Sequence, residues 1–416
     1  MPHRAYASTM RLRRAAALIA MAALVGACTG SAPEGPSGAL PSLSTFPRPI
    51  RGDRLLVLKD DGSIVTIGPD GSAPIPLVPS RGIDVETRQP VWSPDGRSVA
   101  WAELELTDQG ASSRVVTSAP DGSGRTEFPV ETGTFFLEWD PTSSRIAYLG
   151  NFQDAIGMGV AGRSSNGDPV ATTLGVGQPF YLSWSPEGQQ LLIHVGSKSL
   201  GTLDLEGNPL VPIGDVPGIF QAPVWLADGR MVYAATAKDR QTLVIRDGDR
   251  AKELVAFEGS IEFVASPDGR RIAYRVDDGG GLGGIDVVDV RSARSRAVTE
   301  APTSAFHWSP DGRRLLLMTM EEGDDPTTHR WQVWDGKVAT RIGPTFLPSP
   351  TFWRDYVPFY GQFSQSMTLW SPDGSSFAFA GLIGDRAGIW VQDLDAEEPS
   401  FVLDGGSVVA WSPEPA

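Results

Sequence analysis

The chain has 416 residues, 41% of them hydrophobic, with 35 Lys+Arg against 50 Asp+Glu and a formal net charge of −15. So acidic a balance argues against nucleic acid as a partner, because such binders neutralise phosphates with clustered cations. One cysteine in the whole chain excludes a disulfide framework and thiolate metal sites, while 47 glycines and 34 prolines suit an all-β chain with many tight turns.

Residues 1–27 place Arg4, Arg11, Arg13 and Arg14 ahead of the apolar run AAALIAMAALVGA. This is the pattern of a secretory signal, and the run is too short for a spanning helix. The tetrapeptide Val25-Gly26-Ala27-Cys28 resembles a bacterial lipobox. That resemblance implies diacylglyceryl transfer to the Cys28 thiol and cleavage before it. Two or three acyl chains, at about 0.8 kcal/mol per buried methylene, give near-permanent anchoring on the outer side of a bacterial membrane. Residues 28–50 are rich in Pro, Gly and Ser without periodicity, and predict a flexible tether with a mean reach of about 25 Å. Cleavage removes four arginines and no acids, leaving 31 basic against 50 acidic residues, a net −19. Anionic headgroups repel such a domain, which suits one held off the membrane surface.

From residue 51 to 416 one short phrase recurs. Trp-Ser-Pro-Asp-Gly-Arg stands at Trp92–Arg97 and Trp308–Arg313, with weaker copies starting at Trp139, Trp184, Trp225, Ala265, Trp370 and Trp411. Successive spacings are 47, 45, 41, 40, 43, 62 and 41 residues. A period in the low forties with four strand-sized pieces is the signature of a β-propeller. Each motif predicts a turn between two strands. Pro presets φ, Ser or Asp bonds back to the backbone, and Gly takes the positive φ. The Trp ends the first strand and is large enough to wedge between blades. Third strands are predicted within residues 114–122, 284–290, 331–336 and 388–394, and outer strands at 252–257 and 294–299. The last motif has no strands after it, and the first folded segment, from Arg54 to Val78, has no motif before it. The two fragments complement each other. The prediction is one all-β propeller of eight four-stranded blades, closed by pairing the strand near Val408–Trp411 with the N-terminal blade.

The departure from the period is the 62-residue interval. Its insertion, residues 343–367, holds Phe346, Phe352, Trp353, Tyr356, Phe359, Tyr360 and Phe363. Connecting loops are normally polar, so this density fits either a plug in the channel or a binding surface of aromatic anchors with Arg354 and Asp355 as polar contacts. Strand alternation puts the insertion on the same face as the loops 276–284 and 321–329. Those loops add Asp277, Asp278, Glu321, Glu322, Asp324 and Asp325, a solvated acidic cluster or a site for a cation or basic partner. His194, His307 and His329 have no metal-ligand spacing, so no metal and no cofactor is expected. A nucleophile-elbow pattern is absent from the sequence.

The SPDG-R-x-Ala-aromatic repeat, at Ser93–Trp101, Ser266–Tyr274 and Ser371–Phe379, is similar to the propeller repeat of the TolB-like family. The resemblance covers nearly all of the chain after residue 50. It implies a binding or scaffolding platform of the cell envelope that is not an enzyme and has an envelope protein as partner. The chain departs from TolB in lacking a separate α/β domain before the propeller and in its expected eight blades rather than six. The competing expectation is a polysaccharide lyase or hydrolase working at the channel mouth.

The lipobox reading generates a direct test. Cys28→Ala is expected to release the protein from the membrane fraction or leave it uncleaved. A variant that is correctly processed and still fractionates with membranes contradicts lipidation.

Overall fold

The repeated turn follows from local chemistry. At Ser93–Ser98 the Ser93 hydroxyl donates to the Asp95 carboxylate at 2.7 Å, which also accepts the Arg97 N–H at 3.0 Å. Gly96 closes the turn at φ +66°, a conformation that favours glycine. The same Ser–Asp pair recurs at Ser266/Asp268, Ser309/Asp311 and Ser371/Asp373. Either side of these turns lie apolar strands, and they pair antiparallel throughout.

The structure, a computed structural model, describes residues 53–413 apart from 81, 83, 108–109, 178–179, 197, 220, 239, 280 and 322–327. The chain divides into a unit of Met1–Thr45, which lies outside these residues together with Cys28, and a unit of Phe46–Ala416. Within the second unit, five four-stranded sheets follow one another along the chain. Their motif-bearing inner strands are Val85–Trp92, Gly133–Trp139, Phe180–Trp184, Val224–Trp225 and Ser260–Ala265. A sixth four-stranded sheet is composite. Its order is Ile75–Val78, Ile64–Ile67, Leu55–Lys59 and then the C-terminal strand Gly406–Trp411. Leu55 pairs with Trp411 and Leu58 with Val408, so the expected closure is found. The fold is a β-propeller.

The sheet pairing differs from eight separate blades at one place. Strand Ala339–Pro348 is ten residues long. Its first part pairs with His329–Trp334, and its last two residues pair with Leu382 and Gly381. The period's last two repeats therefore join in one seven-stranded sheet, from Thr303–Trp308 to Ser400–Asp404. Gly343, at φ +65°, makes the bulge that lets this strand change partners. The sheet between residues 180 and 212 is the reverse case. Its outer strand is only Val211–Pro212, because Pro209 and Pro212 cannot donate to a ladder.

Neighbouring sheets are tied by two repeating bonds. The motif indole donates to the carbonyl just before the preceding motif's first residue: Trp184 to Glu138 at 3.1 Å, Trp308 to Val264 at 3.0 Å and Trp370 to His307 at 3.1 Å. Trp92 donates to Ala410 at 3.1 Å, which carries the pattern across the chain ends. A second bond runs forward. Arg145, Arg230, Arg271 and Arg314 each donate to the turn carbonyl of the next motif, at Gly188, Gly269, Gly312 and Gly374. The wedge expected of the motif Trp is thus also a polar latch at Trp92, Trp184, Trp308 and Trp370.

Removing Gly406–Ala416 takes away the closing strand, the acceptor for Trp92 and a buried Trp. Loss of a large buried aromatic alone costs about 3–5 kcal/mol, and two strand edges are left unpaired. The truncated protein is expected to aggregate or to unfold at markedly lower denaturant. An unchanged unfolding midpoint contradicts closure at this strand.

Candidate functional site

In a propeller each inner strand presents one backbone edge to the central channel. Buried N–H and C=O groups on that edge need partners. The insertion supplies them. It leaves the long strand at Ser349, whose hydroxyl donates to the Ser407 carbonyl and accepts the Phe352 N–H at 3.1 Å. It then coils through a π-helical turn, Phe352–Tyr356, a 3-10 turn, Val357–Phe359, and a single α-turn, Tyr360–Phe363.

Tyr360 accepts the Phe306 N–H at 2.8 Å and donates back to the Phe306 carbonyl. The Gln362 amide does the same for Leu182, accepting its N–H at 2.7 Å and donating to its carbonyl at 2.9 Å. Gln365 donates to the Pro223 carbonyl at 3.2 Å. Gln89 uses its amide in the same way on Leu137 and lies 3.4 Å from the Ser366 hydroxyl. Thr368 exchanges bonds with Trp411. Apolar packing completes the plug. Phe352 stacks on Tyr356, Tyr356 meets Phe363 at 4.6 Å, and Phe363 meets Phe136 edge-on at 5.2 Å.

The candidate residues therefore divide. Phe352, Tyr356, Tyr360 and Phe363 are buried, so they are plug residues and cannot serve as surface anchors. Trp353 is half-buried, with its ring 5.1 Å from that of His329. Arg354 is exposed and chelates Asp355 through two bonds of 2.6 and 2.7 Å. Phe359 stands out, 51% exposed, next to exposed Pro358. Asp277 is half-buried and accepts the Gly279 and Gly281 N–H groups of its own loop, while Asp278 is exposed. Glu321 is paired with Arg330 at 2.9 Å. Asp324 and Asp325 lie outside the described residues. Among the described residues, no three His, Cys, Asp or Glu side chains come together as metal ligands would.

Burial shifts several groups on the inner strands, Glu138 and His307 among them. Glu138 lies two residues beyond Phe136, on the same side of its strand. Burial pushes its carboxyl up to about 8, and Oε2 has no partner. His307, 5.5 Å edge-on from Tyr360, is pushed down to about 3 by burial. The sequence reading missed Gln89, Gln362 and Glu138. Gln362 had a signal, since it is a lone amide inside an aromatic run. Gln89 and Glu138 had none.

No protein-family model matches the sequence, and a search of curated proteins finds no match. Solved structures do match. A structure titled as the eukaryotic initiation factor is similar with a TM-score of 0.53 and 11% identity, over 88% of this chain and 100% of that one. An oligogalacturonate lyase in complex with manganese has a TM-score of 0.50 and 14% identity, over 82% and 95%. TolB from Acinetobacter baumannii has a TM-score of 0.40 and 17% identity, over 80% and 84%. These are likenesses of fold, and the propeller likeness read from the SPDG repeat recurs among them. They correct one expectation. A lyase shares this architecture, so the fold gives no ground for the expectation that the chain is not an enzyme, and that expectation is withdrawn.

The Glu138 shift makes stability depend on pH. A folded-state value raised from 4.5 to about 8 keeps the carboxyl protonated while the unfolded chain ionises. Its contribution is therefore full below about 4.5 and is lost as pH rises toward 8. Glu138→Gln is expected to raise unfolding free energy at pH 8 by a few kcal/mol, at about 1.4 kcal/mol per pH unit, and to change little at pH 4.5. Denaturant unfolding at the two pH values checks this. An equal effect at both contradicts it.

Proposed function

We propose that this chain is a lipid-anchored, extracytoplasmic propeller that binds a partner in the bacterial cell envelope through the face from which the insertion emerges. The carrying observation is Phe359. A large apolar side chain is 51% exposed on a segment whose neighbours Tyr356, Tyr360 and Phe363 are locked in the channel. Ordering entropy is already spent there, and a rigid aromatic beside an arginine is the usual energetic anchor of an interface. Arg354, earlier in the same insertion, is exposed and already oriented by Asp355.

Topology adds support. Leu55 pairs with Trp411, at the end of the inner strand where the SPDG turns lie. The described chain therefore starts on the face opposite the insertion. Among the described residues, no helix is long and apolar enough to cross a membrane, so attachment through Cys28 is part of the proposal.

A photo-crosslinking amino acid in place of Phe359 in cells tests this reading, with the exposed turn residue Arg313 on the other face as control. A discrete adduct from position 359 and none from 313 is expected. Adducts of equal yield from both faces, or none from 359, contradict it.

A further inference from the structure

A cavity away from Phe359 points to a second ligand. It lies between the inner strands Phe180–Trp184 and Ser260–Ala265, the segment Gln221–Ala222 and Gly361 of the plug. Its volume is about 150 Å³. One water takes about 30 Å³ of liquid and drug-sized sites begin near about 300 Å³, so this space fits a molecule the size of one sugar ring. Tyr181, Gln221, Ser260 and Glu262 give the lining its polar groups, and Ile261 and Phe263 its apolar ones.

Gln221 is the telling residue. It is 5% exposed, and neither its amide oxygen nor its amide nitrogen has a hydrogen-bond partner among the described residues. Its backbone is held, since its carbonyl lies 3.1 Å from His194 Nδ1. A buried amide without partners works against folding. Gln362 and Gln89 show how this protein treats buried amides elsewhere, with both ends bonded to a strand. Gln221 is the lining residue whose buried donor and acceptor are both unused.

Charge narrows the class. The only carboxylate in the lining is Glu262, and it is paired with Arg275, whose guanidinium also donates to the Thr303 carbonyl. The site therefore carries no net charge to attract an ion, and an anion would meet a carboxylate. The Glu262 side chain is 31% exposed, so the cavity is reached from solvent on that side. Ring faces and apolar side chains suit C–H groups, while the amide and carboxylate suit hydroxyls that both donate and accept.

We propose that this cavity binds a neutral, hydroxyl-rich molecule of hexose size, oriented by the Gln221 amide and the Glu262 carboxylate. The site is separate from the Phe359 surface and stands whether or not that surface binds a partner. Saturation-transfer NMR and calorimetry on the purified protein test it, with glucose, galactose and myo-inositol as neutral probes and glucuronate as the charged one. At least one neutral probe is expected to bind with a Kd in the millimolar range or tighter, with glucuronate at least about tenfold weaker. Gln221→Leu is expected to weaken that binding at least about tenfold, and to leave melting unchanged or raise it, because an orphan amide is removed. Gln221→Met, closer in shape, serves if the leucine variant does not fold. Absence of binding by every neutral probe shows a cavity filled by water alone and overturns the proposal. Binding untouched by the Gln221 variants, or glucuronate binding as tightly as the neutral probes, overturns it too.

Discussion

The structure depends on how the channel edges of the inner strands are satisfied. A propeller leaves only short, protected sheet edges on its rim, and its centre is a ring of strand edges with backbone groups pointing inward. Here side chains complete them. Tyr360 and Gln362 each bond both the N–H and the C=O of one inner-strand residue, as an added strand would. Aromatic packing of Phe352, Tyr356 and Phe363 excludes water around these bonds, and in such surroundings a missing partner is costly. The plug is thus part of the propeller's core. Its remaining freedom lies at the outer edge, where Phe359 and Arg354 are exposed.

Between sheets, indole and arginine latches give the recurring Trp and four of the motif arginines a structural role. One latch reaches back to the preceding strand and the other forward to the next turn. Where Ala265 replaces the motif Trp, the indole bond is missing from that junction, but Arg230 still reaches the Gly269 carbonyl. Closure repeats the same bond from Trp92 to Ala410, so the chain ends are joined by the chemistry used at the junctions of Trp184, Trp308 and Trp370.

The architecture was legible because its signals are local and periodic. Ser-Pro-Asp-Gly forms its turn from its own side chains, and a fixed period then orders the strands. Closure was legible because the two terminal fragments lack complementary pieces. The joined seven-stranded sheet was not, since the pairing of Leu347 with Leu382 depends on a bulge at Gly343 that no period marks. The insertion was half legible. Its buried residues, Phe352, Tyr356, Tyr360 and Phe363, follow the spacing of one helical face, but so does exposed Phe359, seven residues after Phe352. Composition grouped the aromatics and left plug and binding surface as alternatives, and only burial in the fold separates Phe359 from the rest. The Gln362 amide bonds Leu182, far away in sequence, and the Gln221 amide has no partner among the described residues, so spacing carries no trace of either.

Amide hydrogen exchange tests the central claim most directly. The Phe306 N–H is held by the Tyr360 hydroxyl and the Leu182 N–H by the Gln362 amide. In Tyr360→Phe the Phe306 amide should exchange much faster, and in Gln362→Ala the Leu182 amide should do so. Amides in the strand Leu315–Met320, which bond within the sheet, should keep their protection in both variants. Unchanged protection at Phe306 and Leu182 would show that the insertion does not complete the channel edges, and the account given for the plug would fall.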